Sequence, residues 1–264
     1  MDRLPTPGNR RYHQARADLP GVFDHIVTDR RGADTDHGDL VSMLLTAHDS
    51  DSGPADQRLT DAEIIDQIIT FFLVGTETSA TALAWALHLL AQHPEIEKRL
   101  HAEVDAVLGG RPATHADLPR LELTGRVITE TLRLWPPAWF FTRTCTADTR
   151  LGRHTVPAGT TLLYSPYLLH RQADLYPDPD RFDPDRWTTG QPRREAFIPF
   201  GAGPRKCIGD RFATIVSTLA LATITTRWRL EPLPGTRVRP TVSGPALNPK
   251  GLRMRATART TRPA

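Results

Sequence analysis

One apolar run constrains this chain more than any other feature. Thr60 followed by Glu63 has the pattern of a capping box, and apolar residues then dominate from Ile64 to Ala91, as far as His93 and the helix-breaking Pro94. A helix over about 60–93 would be roughly 45 Å long, so it is expected to cross the protein and to be buried for most of its length. The run approaches membrane-spanning length, but Asp66, Gln67, Glu77 and His88 interrupt it, and charge at a bilayer centre is costly. A buried helix in a protein without a membrane partner is the preferred reading.

The remaining chain carries its own punctuation. Leu19, Phe23, Ile26 and Val27 are spaced for a helix over about 15–31 that Gly32 stops, and a short helical piece is expected at 40–45. Pro94 opens a second helix that ends at Gly109-Gly110, and a third over about 121–134 is closed by Pro136-Pro137. Between Phe140 and Leu163, β-branched runs separated by Gly152 and by Pro157-Ala158-Gly159 predict a small antiparallel sheet. Residues 176–200 are rich in Pro, Asp, Arg and aromatics without periodicity, and irregular stretches of that length tend to be functional. A last helix is expected over about 209–227, followed by short strands, and Arg255 to Ala264 reads as a disordered tail. The class is mainly α with small β-sheets.

Composition excludes several functions. With 264 residues and 39% apolar content the chain can bury a core, while a net charge of only +3, scattered along the chain, gives no nucleic-acid footprint. Met1 to Asn9 is polar and proline-broken, unlike a signal peptide, so a cytoplasmic protein is expected. Two cysteines, Cys145 and Cys207, stand far apart in no CxxC pair, which argues against a disulfide framework and against a zinc site.

Cys207 has a different context. It lies in Phe200-Gly-Ala-Gly203-Pro-Arg205-Lys-Cys207-Ile-Gly209, a loop that feeds the N-terminus of the last helix. A thiolate there is stabilised by the helix dipole and by loop N–H groups, which makes it a good iron ligand. Gly203 and Gly209 allow close approach of a flat cofactor, and Arg205 can neutralise a carboxylate on it. A dinucleotide-binding loop is the rival for Gly201-Ala-Gly203, but Lys206 occupies the third glycine position and no clean strand signal precedes.

This loop resembles the haem-ligating segment of the cytochrome P450 family, and the resemblance extends over nearly the whole chain. It implies the C-terminal part of a P450 fold over residues 1–254, with an N-terminal portion absent, and a haem b (iron protoporphyrin IX) whose axial ligand is Cys207. Glu130-Thr-Leu-Arg133 matches the family's Glu-x-x-Arg, and Pro179-Asp-Arg181-Phe182 follows at the expected place, which implies a structural network of Glu130, Arg133 and Arg181. Arg143 corresponds to the strand arginine that pairs with a haem propionate. His170, before Arg171, is read as structural.

Within the long helix, Val74-Gly75-Thr76-Glu77-Thr78 resembles the family's oxygen-binding segment. A glycine inside a helix costs about 1 kcal/mol against alanine and asks for a reason. A Thr78 hydroxyl bonded back to the Val74 carbonyl would open the helix and leave a groove. The resemblance implies that the groove holds dioxygen, with Thr78 bonding to it and Glu77 as the acid on the proton path. Val74 stands where the family usually has a small residue, so the groove is expected to be narrower. Trp135 to Phe141 either lines the substrate pocket or packs in the core.

Two functions of different classes follow. One is a monooxygenase that inserts an atom of O2 into an apolar small molecule, taking electrons from a ferredoxin-type donor attracted by charge near Lys206 and Arg211. Its Arg-rich character resembles actinobacterial members that oxidise terpenes or other secondary metabolites. The other is an inactive truncated remnant or haem-binding module.

Overall fold

The computed structural model describes residues 4, 6–33, 36–47, 58–188, 195–243 and 246–259. Residues 1–3 and 5 of the segment read against a signal peptide, and 260–264 of the expected tail, lie outside the described residues. Chain contacts divide the protein into two units, 1–76 and 77–264.

The first unit holds α1 (Pro7–Gly32), α2 (Leu40–Thr46) and the beginning of α3 (Asp61–Gln92). α1 starts before its apolar pattern does. The Thr6 side chain accepts the N–H of Asn9, and Pro7 sits in the first turn, where a missing donor costs nothing. Val27 packs on Ile64, Ile65 and Ile68, with Phe23 and Leu44 at the margin. The capping box of α3 forms: a Glu63 carboxylate oxygen accepts the N–H of Thr60 at 2.8 Å, and the Thr60 hydroxyl accepts the N–H of Glu63 at 3.3 Å.

α3 is not buried for most of its length. Ile64 to Ile68 and Ala82 to Leu90 supply buried residues, whereas Phe72 to Thr76 are exposed. Phe71 to Val74 are apolar at consecutive positions and so point all round the helix, while the clusters at either end each cover one side only. Among the described residues α3 alone is long and apolar enough to cross a membrane; both of its ends are built into protein cores.

The second unit contains the rest of α3, α4 (Pro94–Leu108), α5 (Glu122–Leu134), α6 (Pro166–Leu169) and α7 (Asp210–Arg227). Leu89, Leu100, Val104, Val127, Ile128 and Leu221 bring α3, α4, α5 and α7 into one core. α5 is capped from outside its own sequence: Glu103 of α4 accepts the N–H groups of Leu123 at 2.6 Å and Thr124 at 2.9 Å. A carboxylate there meets both the orphan donors and the positive end of the helix dipole.

The strands form antiparallel pairs. β1 (Phe141–Thr144) pairs with β4 (Thr161–Tyr164), and β2 (Thr149–Leu151) with β3 (His154–Val156), so the single small sheet expected at 140–163 is two ladders. β5 (Trp228–Pro232) pairs with β8 (Met254–Ala258), and β6 (Arg239–Ser243) with β7 (Ala246–Lys250). The tail expected from 255 is therefore corrected: Arg255 to Ala258 are ladder residues. Arg259 then clamps the end, donating to Asp105 at 2.7 Å and to the Thr225 carbonyl at 2.6 Å. The β6–β7 hairpin is tied to α3, since Trp85 donates to the Leu247 carbonyl at 2.7 Å and Thr81 to Asn248 at 2.5 Å.

Candidate functional site

Glu130 and Arg133, three residues apart on α5, share one face and are both fully buried. Arg133 donates through Nε and Nη2 to the two Glu130 oxygens, each at 2.9 Å, in a bidentate fork. Its remaining donors reach main-chain carbonyls of the irregular segment: Pro179 at 2.6 Å, His170 at 2.8 Å and Arg181 at 3.1 Å. Glu130 accepts further bonds from Trp187 Nε1 at 2.9 Å and from the N–H of Asp183 at 3.0 Å. A buried ion pair persists only when its other lone pairs and protons are satisfied, and here they are.

The second arginine on Glu130 is Arg186, at 2.9 Å, not Arg181. Pro-Asp-Arg-aromatic occurs twice, as Pro179-Asp-Arg181-Phe182 and as Pro184-Asp-Arg186-Trp187. The second copy forms a 3-10 turn that presents Arg186 and Trp187 together to the carboxylate. Arg181 is exposed and offers only its carbonyl.

The cysteine loop is shaped by two glycines. Gly201 and Gly203 have φ of 74° and 73°, a region that side chains rarely adopt, and the chain turns there before Cys207. The N–H of Cys207 donates to the Phe200 carbonyl at 2.9 Å and closes the loop at the start of α7. Cys207 is exposed, as is Ile208 beside it at 83%. A Cβ at Gly209 would lie 3.8 Å from the Cys207 sulfur, an ordinary contact, so crowding by that sulfur does not demand a glycine. Lys206 is bonded to Asp210 four residues on, which offsets one of the charges expected to draw an acidic partner and leaves Arg211.

β1 packs on this loop. A Cβ at Gly201 would meet the Phe141 ring at 3.4 Å, and Arg143 shares the Phe141 face because side chains alternate along a strand. The Arg143 guanidinium donates to the Thr142 carbonyl at 2.8 Å and lies 5.6 Å from the centre of the Tyr164 ring. Among the described residues neither Arg143 nor Arg205 has a carboxylate partner, and no cluster of His, Cys, Asp or Glu forms a metal site. An exposed thiol on a glycine turn, with two guanidiniums lacking counter-charges, fits a flat, anionic, iron-bearing group.

On α3, Gly75 is the next-to-last residue of the first unit, exposed like Val74, and a Cβ there would meet nothing within 4 Å. Packing among the described residues does not account for this glycine. Glu77 and Thr78 open the second unit, half-buried on an uninterrupted helix and one turn before Thr81, which the Asn248 bond fixes.

Trp135 belongs to the core. It stacks on Trp85 at 4.1 Å and carries the Arg171 guanidinium 5.1 Å above its ring. Among the described residues the buried Trp139 indole N–H has no hydrogen-bond partner, and Phe140 is exposed. An open cavity of about 1100 Å³ adjoins the loop, lined by Leu118, Thr129, Phe200, Lys206, Arg211 and Thr214.

The geometry agrees with comparisons to known proteins. The cytochrome P450 family profile matches residues 1–255. The chain is 52% identical over 239 residues to a cyclooctat-9-en-7-ol 5-monooxygenase of Streptomyces melanosporofaciens, covering 89% of this chain and 51% of that protein. It is 48% identical over 263 residues to a pentalenene oxygenase of Streptomyces avermitilis, covering 98% and 58%. A solved cytochrome P450, CYP102L1, superposes with a TM-score of 0.84 at 32% identity, covering 98% of this chain and 59% of that one. The chain thus spans little more than half the length of these relatives. A thiol loop, a buried Glu-x-x-Arg fork and a matching fold along the same residues lead to one assignment: the chain belongs to the cytochrome P450 family.

Proposed function

We propose that the chain is the haem-binding part of a monooxygenase that places one atom of O2 into an apolar small molecule. The observation that carries this reading is the exposed Cys207 on its glycine turn, packed through Gly201 against the strand that bears Arg143. Cys207 would ligate the iron of haem b, Phe200, Gly203 and Gly209 would shape the loop against it, and Arg143 and Arg205 would take its propionates. Such a group, with a thiolate ligand, supplies O–O cleavage.

The protein's own residues do the rest. Thr78 Oγ1 would donate a hydrogen bond over the site and pass on a proton, and the Glu77 carboxyl would exchange that proton with solvent. Gly75 leaves the α3 backbone open to a small ligand. The Glu130–Arg133–Arg186 network holds the irregular segment and takes no part in proton transfer.

The names of the relatives, which describe oxygenation of cyclooctat-9-en-7-ol and formation of oxygenated pentalenene, favour a carbocyclic terpene as substrate. Electrons would come from a ferredoxin-type donor in the cytoplasm, with Arg211 on the docking side.

The test is the absorption spectrum of the haem-loaded, reduced chain under carbon monoxide. A thiolate-type Soret band is expected. Haem bound with only a thiol-type or histidine-type band overturns the reading, and oxygen-isotope labelling of product from O2 tests the transfer itself.

A further inference from the structure

We infer that His170 is a positioning residue for the cysteine loop, a ring that ties the backbone of Ile198 to the end of α5 and so fixes where Cys207 stands. The inference rests on the haem-thiolate reading of Cys207 and adds to it a residue outside the loop.

His170 is fully buried after α6, where its N–H donates to the Pro166 carbonyl at 2.8 Å, and three further contacts tie it to α5 and to the cysteine loop. Its Nδ1 lies 3.0 Å from the Arg133 carbonyl, its Nε2 lies 3.0 Å from the N–H of Ile198, and its own carbonyl accepts from Arg133 at 2.8 Å. The partners settle the tautomer. A carbonyl can only accept, so Nδ1 carries the proton, and a backbone N–H can only donate, so Nε2 offers its lone pair. A protonated ring would set two N–H groups against each other. Burial, with the nearby charges of Arg133 and Arg171, pushes the imidazole down to about 4, in keeping with the neutral form.

The bonds continue toward the sulfur. Ile198, held by the ring, accepts the N–H of Gly201 at 3.0 Å, and Phe200 accepts the N–H of Cys207 at 2.9 Å. Phe197 stacks on the imidazole at 5.4 Å and also meets Trp187, which is bonded to Glu130. His170 thus joins the rigid Glu130–Arg133–Arg186 network to a loop whose glycines would otherwise leave it free to shift. Both ring nitrogens are spent on this bridge between α5 and the loop.

His170→Phe and His170→Gln in the full chain test the inference. Backbone hydrogen exchange is read at Ile198 and Gly201 in the haem-free chain, and the thiolate-type share of the carbon monoxide band is read after haem loading. His170→Phe should raise exchange at Ile198 by about tenfold, the scale of one lost hydrogen bond, while Val127 in α5 and Leu221 in α7 stay near wild type. It should also cut the thiolate-type share. His170→Gln, whose amide oxygen can accept where Nε2 did, should restore most of both. If His170→Phe does not fold, His170→Asn replaces it, since its amide can still donate to Arg133 but falls short of Ile198. Unchanged exchange at Ile198, an equal rise across α5 and α7, an unchanged band or absence of rescue by glutamine each overturns the inference. A wild-type chain without the thiolate band would defeat the haem-thiolate reading instead, and the exchange data would still decide the bond.

Discussion

Glu130 and Arg186, 56 positions apart, meet at 2.9 Å, with the carboxylate fully buried and the guanidinium nearly so. This pair, together with Arg133, converts an irregular segment into a fixed one. Without Arg186, Glu130 would keep its Arg133 fork, but the carboxylate would lose one charge-assisted bond and the carbonyls of Pro177, Asp178 and Arg181 would lose a donor.

Arg186→Ala should therefore destabilise the chain by about 2 kcal/mol and impair haem retention. Arg181→Ala should change stability by less than about 0.5 kcal/mol, because its side chain is exposed and only its carbonyl is used. Urea unfolding of both variants measures the difference, and equal losses would restore Arg181 to the network.

Cys207→Ser should bind haem weakly and show no thiolate-type band, with the fold intact, because the sulfur is exposed and makes no core contact. Circular dichroism and the carbon monoxide spectrum of one preparation check both parts.

Thr78→Ala should keep the thiolate-type band but separate oxygen consumption from product. On the roughly hundredfold or greater scale of a lost proton relay, product per O2 consumed should collapse. Hydroxylation at the wild-type ratio would remove Thr78 from the mechanism.

Acid should weaken the fold through His170. Its imidazole is near 4 when folded and near 6.5 when unfolded, so between those values the unfolded chain binds the extra proton. Stability is then complete above about 6.5, falls as pH drops toward 4, and loses on the order of 3 kcal/mol from this ring. His101, pushed down to about 4 chiefly by burial, acts in the same window and sense. Denaturant midpoints across that range measure the slope, and in His170→Gln the slope should be shallower.

How much of this was legible in the sequence depends on what each feature is made of. The α5 fork could be read from two charges spaced three apart, and the cysteine loop from residue types that no ordinary turn requires. The partner of Glu130 could not, because Pro-Asp-Arg-aromatic is written twice and only the folded segment chooses between the copies. The exposed middle of α3 was hidden by an apolar pattern that reads as burial in any window. β8 was hidden because its one apolar face, Met254, Ala256 and Ala258, is mostly small alanines between Arg and Thr, and its pairing to β5 is made by backbone groups.

The grip of the two arginines on the segment between α6 and the cysteine loop falls almost wholly on main-chain oxygens. Arg133 holds those of His170, Pro179 and Arg181, and Arg186 reaches those of Pro177, Asp178 and Arg181. Every amino acid carries that oxygen. Apart from Asp178, whose φ of 47° suits few residues besides Gly, Asn and Asp, the stretch from 177 to 181 can thus be rewritten widely without loosening, so long as its path is kept, whereas a lysine in place of either guanidinium would lack the fork to hold several strands of bonding at once. Tolerance to mutation here belongs to the residues being held, and intolerance to the two that hold them.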